Sequence, residues 1–479
     1  VAVKKRDYRA LLTQLWKDGS LARMAGAFAI LLLAGLSPLP HALTDGLPQA
    51  HEAAIRRDWQ TAAPIYRFAA SYAPWAEGYL VAAAEASLEA GDYQEARDVL
   101  MMLRERRDLA PEEMLWLGEA YDHLGYPEQA LSVWEEALAA GHASREVLAR
   151  MAFLYRAQGD YPQATDALYR LAQYIPTDEA VLRELALLQA LTDPEGARLR
   201  LGEILASEEL APLGDLLREA DVLSPEDYYG QLGMIYIELE EWELAEAALA
   251  RSVALDPAQA GRTAYLGYVR GRLGEPGLGA LQQAMALAPE NPLVFTLAGL
   301  YLERVGAWPE ARVALEWAYN LDPRNPAVAV EIASTHRAQG AYAMAELWLQ
   351  EAVRLAPDDP RFELVLAAFY LDEAYRMEEV GLPLARDLAA REPESAEAHA
   401  ILGGMLLYSG DYEGAEAELQ TALTLDPRSA RANYTLAVLY ETQGRPHEAL
   451  QYYQAAVEET PDGRFGILSQ RAIERLMGE

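Results

Sequence analysis

The sequence predicts an all-α chain, a solenoid of stacked helix-turn-helix units with an N-terminal hydrophobic segment, and three observations predict it. First, the stretch from Ala396 to Pro461 is one pattern written twice. Gly403 and Ala437, Gly410 and Gly444, Ala415 and Ala449, Ala422 and Ala456, and Pro427 and Pro461 each lie 34 residues apart. Second, the spacing persists: Gly91, Gly125 and Gly159 keep it, and Pro257, Pro289, Pro323, Pro357, Pro393, Pro427 and Pro461 follow at gaps of 32, 34, 34, 36, 34 and 34. Third, hydrophobic residues make up 52% of the chain with no run of alternating β-branched residues, so no sheet is expected. A fixed period of this length means helical hairpins, because one hairpin cannot bury its apolar face alone and its neighbours must cover it. Such a stack also frees 479 residues from the size limit of a single core.

Each feature of the unit has a physical reason. Ile401, Leu402, Met405 and Leu406 recur at helical spacing and make one greasy side. Glycine inside a helix costs about 1 kcal/mol against alanine, so Gly403 predicts a close approach of two helices. Gly410 suits the left-handed end of the first helix, and Asp411 suits the cap of the second. Ala415, Leu419 and Ala422 face back across the pair, and Pro427 closes it.

With a small residue at the eighth place, glycine at the fifteenth, alanine at the twentieth and proline at the thirty-second, the unit resembles the tetratricopeptide repeat family. The resemblance implies a right-handed α-solenoid that binds a peptide or protein segment in a concave groove. In that family the groove is lined by the first helices at about the second, fifth, ninth, twelfth and thirteenth places. Those places hold Leu115, Glu119 and Asp122 in one unit, and Glu146, Phe153 and Arg156 in the next. Later units place Glu303, Arg337, Arg361, Leu364, Tyr408, Arg431, Tyr434 and Glu441 there. The lysine and asparagine set by which some relatives clamp a chain-terminal carboxylate is missing. A mixed, partly apolar groove suits an extended segment or a helix.

The chain opens off this pattern. Residues 1–43 hold Lys4, Lys5, Arg6, Arg9, Lys17 and Arg23 against Asp7 and Asp18, a net charge of +4. After Arg23 comes MAGAFAILLLAGL, thirteen residues without a charge. Such a run spans about 20 Å of helix, short of the roughly 30 Å hydrocarbon core but long enough for the apolar region of a signal sequence. Pro38 and Pro40 interrupt a longer helix. The expectation is a signal anchor, with the basic end in the cytoplasm and the repeats outside the cell membrane. A cleaved signal peptide and a buried first helix of a cytoplasmic array are the alternatives.

An N-terminal block follows over 44–178, a short hairpin from His51 to Tyr72 and then units from Glu77, Pro111 and Arg145. Over 179–223 the pattern degenerates. Asp193-Pro194 replaces the turn glycine, and Pro176 to Pro257 spans 81 residues, two repeats plus 13. The excess predicts one additional helix at roughly Pro212 to Leu223. Ser224-Pro225 restarts the register as a helix cap, opening a C-terminal block over 224–463. Within it the unit from Gly261 is two residues short, and the one from Pro360 is two residues long and loses its glycine turn. An amphipathic segment within 464–479 is expected to cap the last unit. The count is twelve units, one of them degenerate.

Chemistry is missing from this pattern. Cysteine is absent, which excludes thiolate zinc sites and cysteine nucleophiles. The seven histidines are scattered with no pair at metal-ligand spacing. The glycines of GRLGEPGLG have no preceding strand and no lysine-serine pair, so they read as a shortened repeat turn. A net charge of −34 argues against nucleic acid as a partner. No catalytic residue, cofactor, metal or small-molecule substrate is expected. The reading is a non-enzymatic scaffold for protein segments, with a membrane contact through its N-terminal segment. The alternatives are an accessory subunit of an envelope enzyme or of a secretion or cell-surface polymer machine, and a cytoplasmic adaptor.

Overall fold

The computed structural model describes residues 45–73, 75–200 and 207–477. They form twenty-six α-helices and no strand. The basic lead and the apolar run after it lie outside the described residues, among which no helix is long and apolar enough to cross a membrane. The chain divides into two compact units after Thr192, inside the degenerate repeat.

Unit 1 is a repeat solenoid of four hairpins: α1 (Gly46–Ile55) with α2 (Trp59–Tyr72), α3 (Glu77–Glu89) with α4 (Tyr93–Arg104), α5 (Pro111–His123) with α6 (Pro127–Ala139), and α7 (Arg145–Ala157) with α8 (Tyr161–Tyr174). It ends on α9 (Glu179–Thr192). Unit 2 starts with α10 (Pro194–Arg200) and α11 (Ala211–Glu219). Four hairpins then pair α12 (Pro225–Glu238) with α13 (Trp242–Leu255), α14 (Ala260–Arg272) with α15 (Leu278–Leu287), α16 (Pro292–Arg304) with α17 (Trp308–Leu321), and α18 (Pro326–Ala338) with α19 (Tyr342–Leu355). After them come α20 (Pro360–Asp372) with α21 (Leu382–Arg391), α22 (Ala396–Tyr408) with α23 (Tyr412–Leu425), and α24 (Ala430–Thr442) with α25 (Pro446–Glu459), and α26 (Arg464–Met477) closes the row.

Capping and close packing set the hairpin. Asp92, Asp160 and Asp411 each accept a hydrogen bond from the amide three residues on, and so start α4, α8 and α23. Three first helices of unit 2 use another device. Asn291, Asn325 and Asp359 precede a proline at the first helical position, and each side chain accepts from the amide two residues on. Gly410 takes φ +82°, the left-handed conformation that ends α22. At Gly403 a Cβ would stand 2.6 Å from Leu419 Cγ, so the glycine is what lets α22 and α23 approach. The same place in the α5/α6 hairpin trades sizes. Gly118 makes room for the buried Trp134 ring, whose Nε1 donates to the Leu115 carbonyl at 3.1 Å.

The irregular units have local causes. In the short one, α15 has ten residues where α17 has fourteen. In the long one, Ala374 and Arg376 both take φ +47° and lead into a π-helical turn, Met377–Gly381, which absorbs the extra length. Tyr370 and Arg376 both donate to Glu346, at 2.6 and 2.7 Å, and fasten that turn to α19. The additional helix of the degenerate region is α11, nine residues long, with Leu213, Leu216 and Leu217 buried. One continuous apolar core runs through unit 2 from Ala333 on α18 to Ile473 on α26.

Candidate partner-binding groove

The first helices of unit 2 line a groove made of three connected cavities. One, of about 360 Å³, lies over α18 and α20, with Val330, Leu364, Val365 and Ala368 as its apolar wall and Glu331, Arg337, Asp372, Glu397 and Arg431 as its polar one. The next, about 220 Å³, shares Asp372 and Arg431 and adds Tyr408, Tyr434 and Phe465. The third, about 490 Å³, shares Tyr434 and runs between α24 and α26 past Glu441, Arg471 and Arg475. Shared residues make the three one path along α18, α20, α22, α24 and α26.

Most basic groups along this path are already occupied. Arg431 sits on the groove floor with its side chain 12% exposed. It donates to Asp372 at 2.9 Å and to Glu397 at 2.8 Å, and its guanidinium lies 4.8 Å over the Phe465 ring. Burial pulls the Arg431 pKa down, and the two carboxylates more than offset it. Arg464 meets Asp372 at 2.7 Å from the other side. Glu441 is held by Tyr453 at 2.8 Å and by Arg475 at 2.8 Å. Arg337 has Glu373 at 3.9 Å.

Among the described residues, two carboxyls on or beside the path have no such cation. Glu303 on α16 and Glu331 on α18 face each other, and burial followed by the Glu331 charge pushes the Glu303 carboxyl up to about 8. Burial raises Glu331 as well. A pair in that state holds a shared proton.

Unit 1 has a groove of its own, a cavity of about 640 Å³ lined by Leu115, Trp116, Glu119, Asp122, Glu146 and Arg150 among others. Here too the cation is engaged, since Arg150 makes a two-pronged contact to Asp122 at 2.6 and 3.0 Å and stacks 4.8 Å over Phe153.

Of the residues chosen from the sequence, Arg337, Leu364, Tyr408, Arg431, Tyr434 and Glu441 line the unit 2 path. Glu303 lies beside it against Glu331. Arg361 stands apart from these walls. Its side chain is 81% exposed and folds onto Asp359, the cap of its own helix, at 2.6 Å. Phe153 is exposed, and Arg156 is drawn to Glu184 at 3.2 Å; neither lines the unit 1 cavity. Sequence reading missed Asp372, Glu397, Glu331 and Phe465. The signal was present for three of them: Asp372 is at the thirteenth place of its unit, Glu397 at the second, and Phe465 at the second place of α26 counted as a further first helix. Glu331 is at the sixth place, off that set.

The tetratricopeptide repeat family matches residues 226–259, 296–360 and 405–464. The chain is a tetratricopeptide repeat protein, a class whose fold is suited to protein–protein interaction. Its fold is similar to that of yeast Tom70, at 14% identity over 90% of this chain and 95% of that one, with a TM-score of 0.43. It is also similar to a tetratricopeptide repeat protein of Parabacteroides merdae, at 13% identity over 53% and 99%, TM-score 0.44. A third is pilF of Pseudomonas aeruginosa, at 19% identity over 52% and 97%, TM-score 0.33. No curated protein matches the chain.

Proposed function

We propose that this chain is a non-enzymatic scaffold that binds a protein segment along the unit 2 groove, and that residues 1–43 tether it to the cell membrane with the repeats outside the cytoplasm. The groove reading is carried by one observation, the unbroken path from α18 to α26, where apolar side chains such as Leu364 and Val365 alternate with polar ones. Tyr408, 69% exposed, is an aromatic anchor with no covering partner among the described residues. The tethering reading is supported by the basic lead and the apolar run that follows it.

One experiment addresses both. A photo-crosslinking residue is placed at Leu364, at Tyr408 or, as control, at the exposed Tyr174 of α8, and the full chain is irradiated in intact cells before protoplasts are treated with protease. The expected result is one and the same protein adduct at Leu364 and Tyr408, none at Tyr174, and repeats digested without lysis. Adducts confined to Tyr174 would remove the groove reading. Repeats protected until lysis would remove the tethering reading.

A further inference from the structure

We propose that the unit 2 groove recognises a cationic side chain, a lysine or arginine of the bound segment, at Glu303 and Glu331. The inference rests on the groove reading above and adds the chemistry of the partner.

Most cations around the two carboxyls are already matched. Arg431, Arg464 and Arg475 each hold carboxylates of their own chain at 2.7–2.9 Å. On α14, packed beside α16, Arg270 is held by Glu246 at 2.8 Å and Arg272 lies 4.5 Å over the Trp242 ring. Arg304, next to Glu303 in the chain, gives its donors to the carbonyls of Gly271 and Arg272, at 2.9 and 3.1 Å. Among the described residues, then, no cation forms an ion pair with Glu303 or Glu331. Arg337 is near enough to act on Glu303 through space, but its own ion pair is with Glu373.

A second observation is independent of charge. Glu303 Oε1 is shut off from solvent and, among the described residues, accepts no hydrogen bond. Leaving a charged oxygen so placed is costly, which is why the pair retains a proton. An ammonium or guanidinium arriving in the cavity meets the Glu331 carboxyl, which lines it, and through that carboxyl its positive charge offsets the charge of the pair. The pair then releases its proton to water, and its two negative charges face two positive ones, the ligand's and that of Arg337.

Geometry favours a side chain over a free ion. Val330, Leu364, Val365 and Ala368 border the same cavity, so the methylene stem of a lysine or arginine would lie on an apolar wall while its head meets the carboxyls. Metal binding has no support here, because no group of three or more histidine, aspartate or glutamate ligands exists among the described residues.

The test uses the full chain and synthetic fluorescent peptides of equal length and apolar content, bearing either several lysines or glutamines in their place. Anisotropy titrations should show the lysine peptide binding at least about tenfold more tightly. The Glu303→Gln/Glu331→Gln double variant should lose that preference while keeping the helical content of the unaltered chain. Glu89→Gln/Glu112→Gln in unit 1 serves as the control for general attraction to an acidic protein and should keep the preference. Equal affinities in the unaltered chain, or a preference that survives the Glu303/Glu331 double variant, would overturn the proposal and leave the groove reading standing. Failure of both peptides to bind would overturn the two together.

Discussion

Two stretches of one groove handle charge in opposite ways. Between α20 and α26 each carboxylate on the path is matched: Asp372 takes Arg431 and Arg464, Glu397 takes Arg431, and Glu441 takes Arg475. These pairs tie helices to one another, since Arg431 on α24 reaches back to α22 and to α20. Between α16 and α18 the two carboxyls face each other with a proton and, among the described residues, no ion-paired cation. The first arrangement fixes how successive hairpins stack. The second joins successive hairpins only through a shared proton and leaves Glu331, on the cavity wall, as an acceptor for something outside the chain. Position on the repeat therefore does not decide whether a groove residue is structural or available. The residues that reach it do.

The largest expected effect comes from breaking the matched stretch. Arg431→Ala would leave Asp372, 11% exposed, with Arg464 alone, and Glu397 with nothing. Removing one partner of a buried pair costs about 3–5 kcal/mol, and Glu397 is open enough to water that about 2–4 kcal/mol is expected here. In a solenoid that loss stays local. Hydrogen exchange should accelerate through α22 to α26 and remain unchanged in unit 1. Unchanged protection in α22 to α26 would mean that apolar packing alone sets the stack.

A smaller effect, opposite in sign, is expected in the unmatched stretch. Glu303 sits at about 8 in the folded chain against an ordinary 4.5. Between those values the folded state holds a proton that the unfolded state has released, so stability falls as pH rises across that window. Below it the carboxyl is neutral in both states and costs nothing. Above it the whole penalty is present. Glu303→Gln removes the charge, so the variant should melt higher than the unaltered chain at about pH 9 and together with it at about pH 4. A variant that melts lower at both values would show that the carboxyl supports the fold.

Much of the fold was legible because the repeat leaves a mark at fixed places. Gly403 announced a close helix approach, and Leu419 fills it. Gly410 announced a left-handed turn and adopts one. The excess around Pro212 announced a helix, and α11 is there. The groove was legible only as positions. Arg431 could be placed on its wall by counting, but its partners lie 34 and 59 residues away along the chain, and no local pattern announces a contact across two hairpins. The π-helical turn after Tyr370 was visible as two surplus residues, whereas its form depends on Tyr370 and Arg376 converging on Glu346. Glu331 was missed because the family's groove places skip the sixth.

The smallest effect is expected where counting and contact disagree most. Arg361 stands at the second place of α20, the same place that Arg431 holds in α24. Arg431 is enclosed by two carboxylates from other helices, while Arg361 points to solvent and binds the cap of its own helix. An exposed pair of this kind contributes little, because solvent screens it and two side chains must be ordered to form it. In Arg361→Glu the new carboxylate gains from the positive end of α20 and loses by repulsion from Asp359, two terms of similar size. Melting temperature and the yield of photo-crosslinked adduct from Leu364 should therefore match those of the unaltered chain. Arg337→Glu, on the cavity wall beside Glu331, should lower that yield. A fall in yield for Arg361→Glu as large as for Arg337→Glu would mean that the bound segment extends past the cavity onto the start of α20, and that the groove is wider than its walls.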